Sequence, residues 1–259
     1  MTEVVEEGIT RRDDGVYVIS RDTFASDYFH YRPGEHVTFG GPTQRGKTTL
    51  AFKLLEYTAT PDFPAYVAVS KPNDKTSENE GKRLGYRRVS EWPPQKQVKE
   101  LWGERPAGYL VWPKFGDMDK DVDNAAEVTR ALLMDRYSAG AKGKKKSQGI
   151  LMMDDTMVKA RILGLDKEMT TILAMAGAMG LGQWTFVQKP TDSGRTPIWA
   201  YGASEHLFIV KDPDRRSRMR YDEIGGFDPK VVSGLSETLK PFQFLYLKRT
   251  EEYICVVDK

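Results

Sequence analysis

From position 41 the chain reads Gly41-Pro42-Thr43-Gln44-Arg45-Gly46-Lys47-Thr48-Thr49-Leu50. Two glycines, a lysine and a hydroxyl residue stand at every fixed position of G-x-x-x-x-G-K-[ST]. No other stretch limits the fold so strongly, because this loop works only between a strand that delivers it and a helix that leaves it. Glycine lets the backbone curl so that successive N–H groups face inward as an anion nest. Lysine sets a point charge on the β- and γ-phosphates, and the hydroxyl of Thr48 ligates Mg²⁺. The flanks fit: His36-Val37-Thr38-Phe39 reads as a short buried strand. Thr48 to Ala59 reads as a helix with Leu50, Leu54, Leu55 and Thr58 on one face, stopped before Pro61. The helix N-terminus adds its partial positive charge to the phosphate site. A chance match in a surface turn would lack this context. The stretch from Gly41 to Thr49 is therefore the nucleotide-binding candidate.

With 259 residues there is room for one large α/β domain, or one domain and a small appendage. Thirty-nine basic and 37 acidic residues leave a net charge of +2. Any nucleic-acid contact must therefore be local, because the surface is not uniformly basic. Hydrophobic content of 39% supplies a core and argues against disorder. Cys255 is the sole cysteine, so no intrachain disulfide can form, which suits a reducing cytoplasm. The acidic N-terminus has no apolar signal region, and no run approaches the ~18 apolar residues of a membrane span. A cytoplasmic protein is expected, in the host cytoplasm if it is viral.

Along the chain, residues 1–14 read as charged and frayed, and Val16 to Ile19 as a small edge strand or lid. Phe24, Tyr28, Phe29 and Tyr31 could flank a base, but packing on the core is the simpler reading. Further strands are expected at 65–70, 85–89, 108–113, 149–153, 183–188 and 206–210. Helices are expected at 96–102, 121–137 and 165–179, a loop carrying Arg195, and a closing hairpin from 242–248 and 253–257. Ser70-Lys71-Pro72 falls at a strand's carboxyl end, where open α/β sheets place ligands.

Gly149-Ile150-Leu151-Met152-Met153 ends in Asp154-Asp155. An apolar strand ending in acids is the companion of a phosphate loop, with Asp154 holding Mg²⁺ and Asp155 suited to polarise an attacking water. Several strand candidates lie between Lys47 and Asp154, so at least one strand should separate the two motif strands. A GTPase is disfavoured. Lys189-Pro190-Thr191-Asp192 has the wrong spacing for guanine reading, and Asp222-Glu223-Ile224-Gly225 comes too late to reach a γ-phosphate.

The strand-loop-helix at 36–59, the Asp154-Asp155 strand end and Val187-Gln188-Lys189-Pro190 together resemble the FtsK/HerA branch of the additional-strand P-loop ATPases. That branch includes DNA pumps and single-domain viral genome-packaging ATPases. The resemblance spans residues 34–212. It implies a mostly parallel central sheet flanked by helices, with a small N-terminal β appendage (1–33) and a C-terminal segment (213–259) whose hairpin completes the domain. It also implies ATP as the nucleotide, Gln188 as a sensor of the γ-phosphate or attacking water, and a ring of identical subunits. Asp155 stands where glutamate is usual, and Lys189 where arginine is usual. In such rings an arginine from one subunit completes its neighbour's site. Arg195 is the first candidate, with Arg161, Arg215 and Arg216 as alternatives.

Lys142, Lys144, Lys145 and Lys146 form a basic loop that could hold a DNA backbone, as could the run from Lys211 to Arg220; either could equally be a solvated surface. The expected task is ATP-driven movement of double-stranded DNA by a ring, as in viral genome packaging, with a portal or capsid protein as partner. Two alternatives stay open: a loader or remodeller acting on a protein, and a nucleotide or small-molecule kinase binding a second substrate near Ser70-Lys71-Pro72; a non-hydrolysing nucleotide-binding module is disfavoured, because Lys47, Thr48, Asp154 and Asp155 are all present.

Overall fold

The computed structural model describes residues 3–95, 104–143, 148–188, 195–218, 221 and 224–259. Twelve strands form one sheet: β1 (Glu3–Glu6), β2 (Ile9–Arg11), β3 (Tyr17–Ser20), β4 (Val37–Gly40), β5 (Ala65–Ala68), β6 (Arg87–Val89), β7 (Gly108–Val111), β8 (Gly149–Met153), β9 (Leu181–Val187), β10 (His206–Ile209), β11 (Phe244–Lys248) and β12 (Tyr253–Asp258). Their spatial order is β1-β2-β3-β12-β11-β10-β4-β9-β8-β5-β7-β6. The seven strands from β10 to β6 run parallel. The β11-β12 hairpin closes antiparallel on β10. The sheet is mostly parallel and carries a small N-terminal β element, as expected.

One strand, β9, does separate β4 from β8, but it comes later in the chain than both. The strands lying between Lys47 and Asp154 in sequence pair on the far side of β8 instead. Residues expected to fray form the β1-β2 hairpin, which joins the sheet through β3 and β12.

The central strands are buried on both faces, which is why they read as unbroken apolar runs. Alternation along β5 shows the two layers. Val67 packs with Leu50, Leu54 and Leu55 of helix Lys47–Thr58. Tyr66 and Ala68 pack with Ala125, Val128 and Leu132 of helix Met118–Ala141 and with Met169 and Ile172 of helix Asp166–Met175. Phe24 and Phe29 lie in the first layer against Phe208, Trp184 and Tyr246, so these aromatics are core.

Helix Met118–Ala141 extends through residues expected as loop, so the basic loop begins at Lys142. The expected helix at 165–179 breaks at Ala176 into a short 3₁₀ turn, Gly177–Met179. The helix expected at 96–102 lies outside the described residues. Helices Lys75–Arg83, Arg195–Ala203 and Pro229–Thr238 were not expected, and Arg195 starts a helix where a loop was anticipated.

Candidate functional site

Strand β4 ends at Gly40, and the chain turns through Gly41 to Gly46 into helix Lys47–Thr58. Gly41 has φ of +115°, and a Cβ there would lie 2.5 Å from Val210 Cγ2. Gly46 has φ of +80° at the helix start. Both positions therefore require glycine, one for conformation and space, the other for conformation. The Lys47 ammonium donates to the carbonyls of Gly41 and Pro42, which hold it at the loop's mouth. Burial pulls its pKa down to about 8, against the attraction of Asp154 and Asp155.

The loop forms one wall of a pocket of about 310 Å³ that also takes in Lys71, Asp154, Asp155, Phe186 and Gln188. The residues expected from 43 to 49 all line it, while Gly41 and Pro42 approach through their carbonyls. Asp154 and Asp155 follow β8 and are both buried. Asp155 takes φ of +49°, a left-handed turn that a non-glycine residue rarely adopts. Gln188, one residue past β9, donates its Nε2 to Asp155 Oδ1 at 3.0 Å. Thr156 ties the two strand ends together: Phe186 N donates to its hydroxyl at 2.9 Å, and that hydroxyl donates to Met153 O at 3.2 Å. The inserted strand β9 thus sets the base and sensor candidates side by side.

Two lysines join the site that motif reading did not assign to it. Lys71, just past β5, places its ammonium 3.4 Å from Asp155 Oδ2. Burial lowers its pKa, but Asp154 and Asp155 together outweigh that and leave it raised. Lys159 is fully buried and donates to Ser70 Oγ and to the carbonyl of Asp154. Burial draws it down to about 8 despite the attraction of Asp154 and Asp155. Burial likewise pushes the Asp154 carboxyl above the usual carboxylate range, with Lys159 and Lys71 opposing. Lys71 stood in a stretch already marked as a strand end, but Lys159 lies in a π-type turn, Val158–Ile162, with no signal of its own.

Asp154 Oδ2 is buried and accepts no hydrogen bond among the described residues. A hydroxyl from Thr48 and this carboxylate oxygen in one pocket are hard oxygen donors that fit Mg²⁺. No cluster of three His, Cys, Asp or Glu residues suited to a metal occurs among the described residues.

The remaining expected residues disperse. Arg195 begins its helix at the carboxyl edge of the sheet, after residues 189–194, and its side chain lies outside the described ones, as does that of Arg215. Arg161 is exposed on the turn after Asp155, and Arg216 is exposed with its backbone N–H on Asp214 Oδ1 at 2.9 Å. Lys142 is exposed, while Lys144, Lys145 and Lys146 lie outside the described residues. Lys189-Pro190 and Asp222-Glu223 do too.

No family model matches the chain, and no curated protein matches its sequence. Solved structures do match its fold. The DNA-packaging ATPase B204 of Sulfolobus Turreted Icosahedral Virus aligns over 88% of this chain and 98% of its own, with TM-score 0.57 and 13% identity. The genome packaging NTPase B204 of Sulfolobus turreted icosahedral virus 2 in complex with ATP-gammaS aligns over 88% and 98%, with TM-score 0.56 and 12% identity. The cytoplasmic domain of the Thermomonospora curvata Type VII secretion ATPase EccC aligns over 97% of this chain and 28% of its own, with TM-score 0.56 and 12% identity. The chain shares its fold with these ATPases.

Proposed function

We propose that this protein hydrolyses ATP and uses the energy to move double-stranded DNA through a ring of its own copies, with genome packaging as the task. The observation that carries the hydrolytic part is the pairing of Asp155 with Gln188 beside the phosphate loop, made possible by β9 lying between β4 and β8. A kinase needs no water-orienting pair at that point, whereas an ATPase does. The motor part is supported by the fold shared with a viral packaging ATPase over nearly that protein's whole length.

In this reading the loop N–H groups and Lys47 cradle the β- and γ-phosphates. Thr48 and Asp154 would hold Mg²⁺, which supplies charge neutralisation at the phosphate oxygens when bound. Asp155 accepts a proton from water as the water oxygen bonds to the γ-phosphorus and the bond from phosphorus to the bridging oxygen breaks, leaving ADP. Gln188, with its amide N–H on Asp155, keeps its carbonyl oxygen for that water. Lys71 reaches the γ-phosphate from the opposite wall, and its exchange between phosphate and Asp155 decides when the carboxylate is available. Arg195, at the start of a helix on the same edge, is the first choice for completing a neighbour's site.

The direct test is ATP hydrolysis with Mg²⁺ by wild type, Lys47→Ala and Asp155→Asn. The expected result is loss of nucleotide affinity in Lys47→Ala. In Asp155→Asn, affinity should persist with hydrolysis slower by about 10²-fold or more. Equal hydrolysis by all three proteins would overturn the assignment.

A further inference from the structure

Beside the nucleotide pocket, and sharing Asn73 with it, lies a second cleft of about 810 Å³ at the carboxyl ends of β5, β7 and β6. Its wall includes Trp112, buried to 2% exposure, with the guanidinium of Arg88 4.0 Å from the centre of its ring. Arg88 is exposed in the middle of β6, so its guanidinium lies over an aromatic face while remaining open to solvent. The Arg88 side chain has no hydrogen bond or ion pair among the described residues, and neither does the ammonium of Lys114 in the same lining.

The nearby acids are already engaged. Asp121, the lining carboxylate, accepts from Gly116 N at 3.0 and 3.2 Å and from Asp117 N at 3.2 Å. Glu78, which lies within the field of Arg88, pairs with Lys82 at 2.8 Å. The cleft thus presents two cations whose side chains make no ion pair with the described residues, one of them held over an aromatic ring and able to make a planar, two-pronged contact with an oxyanion.

We infer that this cleft is a contact site for the phosphate backbone of the nucleic acid, read through Arg88 and Lys114, which rests on the DNA-motor reading above. Its position supports this, because the cleft lies on the same edge of the sheet as the phosphate loop. The connection is covalent and short: Lys71 faces the nucleotide, Pro72 lines the cleft and Asn73 lines both. A backbone phosphate held at Arg88 therefore bears on the segment whose lysine is 3.4 Å from Asp155. DNA contact and availability of the base are coupled through three consecutive residues.

The test is binding of a fluorescently labelled duplex by wild type, Arg88→Ala, Lys114→Ala and Arg88→Lys across a salt series, with DNA-free and DNA-stimulated hydrolysis measured in parallel. Arg88→Ala should weaken duplex binding roughly three- to tenfold and lower the slope of log affinity against log salt by about 0.9, the value for one lost phosphate contact. DNA-stimulated hydrolysis should fall with it, while DNA-free hydrolysis and the melting temperature stay at wild-type values. Arg88→Lys should restore the slope but only part of the affinity. Wild-type affinity and slope in both alanine variants would overturn the inference. If those variants instead lost self-association, the cleft would be a contact between copies. A wild type that hydrolyses ATP but binds no duplex would remove the DNA reading along with this inference. Duplex binding unaltered by the variants would remove only the inference.

Discussion

Asp155 is where several separate demands meet. Proposed as the base, it is buried, held in a left-handed turn and contacted by both Gln188 and Lys71. The two partners act differently. In the proposed reading neutral Gln188 orients the carboxylate, while Lys71 brings a positive charge to it and competes for it. This division predicts distinct outcomes. Gln188→Ala should leave nucleotide affinity within about twofold and slow single-turnover hydrolysis by about 10²-fold. Lys71→Gln should weaken ATPγS binding while sparing ADP if, as proposed, Lys71 meets the γ-phosphate from its wall of the pocket. Paired calorimetry and single-turnover assays check both, and equal loss of ATPγS and ADP affinity in Lys71→Gln would contradict the placement. Lys159 acts one step further back, holding the Asp154 carbonyl to Ser70 and so fixing the end of β8 against the end of β5.

At the scale of elements, the site depends on how β9 is seated between β4 and β8. His36 helps seat it: the backbone N–H of Gln183 in β9 donates to His36 Nδ1 at 2.9 Å, so this nitrogen must remain unprotonated. Burial pulls the His36 pKa from 6.5 down to about 4. The folded form then rejects a proton that the unfolded chain accepts. Its contribution is complete above about pH 6.5 and is lost as pH falls through 4, by roughly 3 kcal/mol in full. Denaturant midpoints for wild type and His36→Asn at pH 7.5 and 4.5 should show a larger acid loss in wild type. Parallel losses would contradict it.

How far the elements were legible follows from the range of their determinants. The phosphate loop and the acids after β8 are local patterns and were readable as written. The order of strands was not, because β9 enters between two earlier strands, and only pairing decides that. Helix Pro229–Thr238 had a readable start, since Asp228 caps it and proline opens it. Helix Lys75–Arg83 had Asp74 as its cap but no apolar stripe, so periodicity passed over it. Lys71 and Arg88 are single charges whose importance comes from Asp155 and Trp112, residues distant in the chain.

For the whole molecule, the phosphate loop, the Asp155–Gln188 pair, the Arg88 cleft and the start of the Arg195 helix all lie toward the carboxyl edge of one sheet. A ring whose subunits meet along that edge would let a neighbour's arginine reach the γ-phosphate, while DNA acts on the same segment through Pro72 and Asn73. A modest net charge of +2 is compatible with this, because repetition around a ring multiplies a local basic site. Among the described residues no helix is long and apolar enough to cross a membrane. The measurement that tests the account most directly is steady-state ATP hydrolysis against protein concentration, with and without duplex DNA, beside Lys47→Ala. The account predicts a rate per subunit that climbs with concentration, rises further with DNA and vanishes in the variant. A rate independent of concentration and unmoved by DNA would contradict the ring motor.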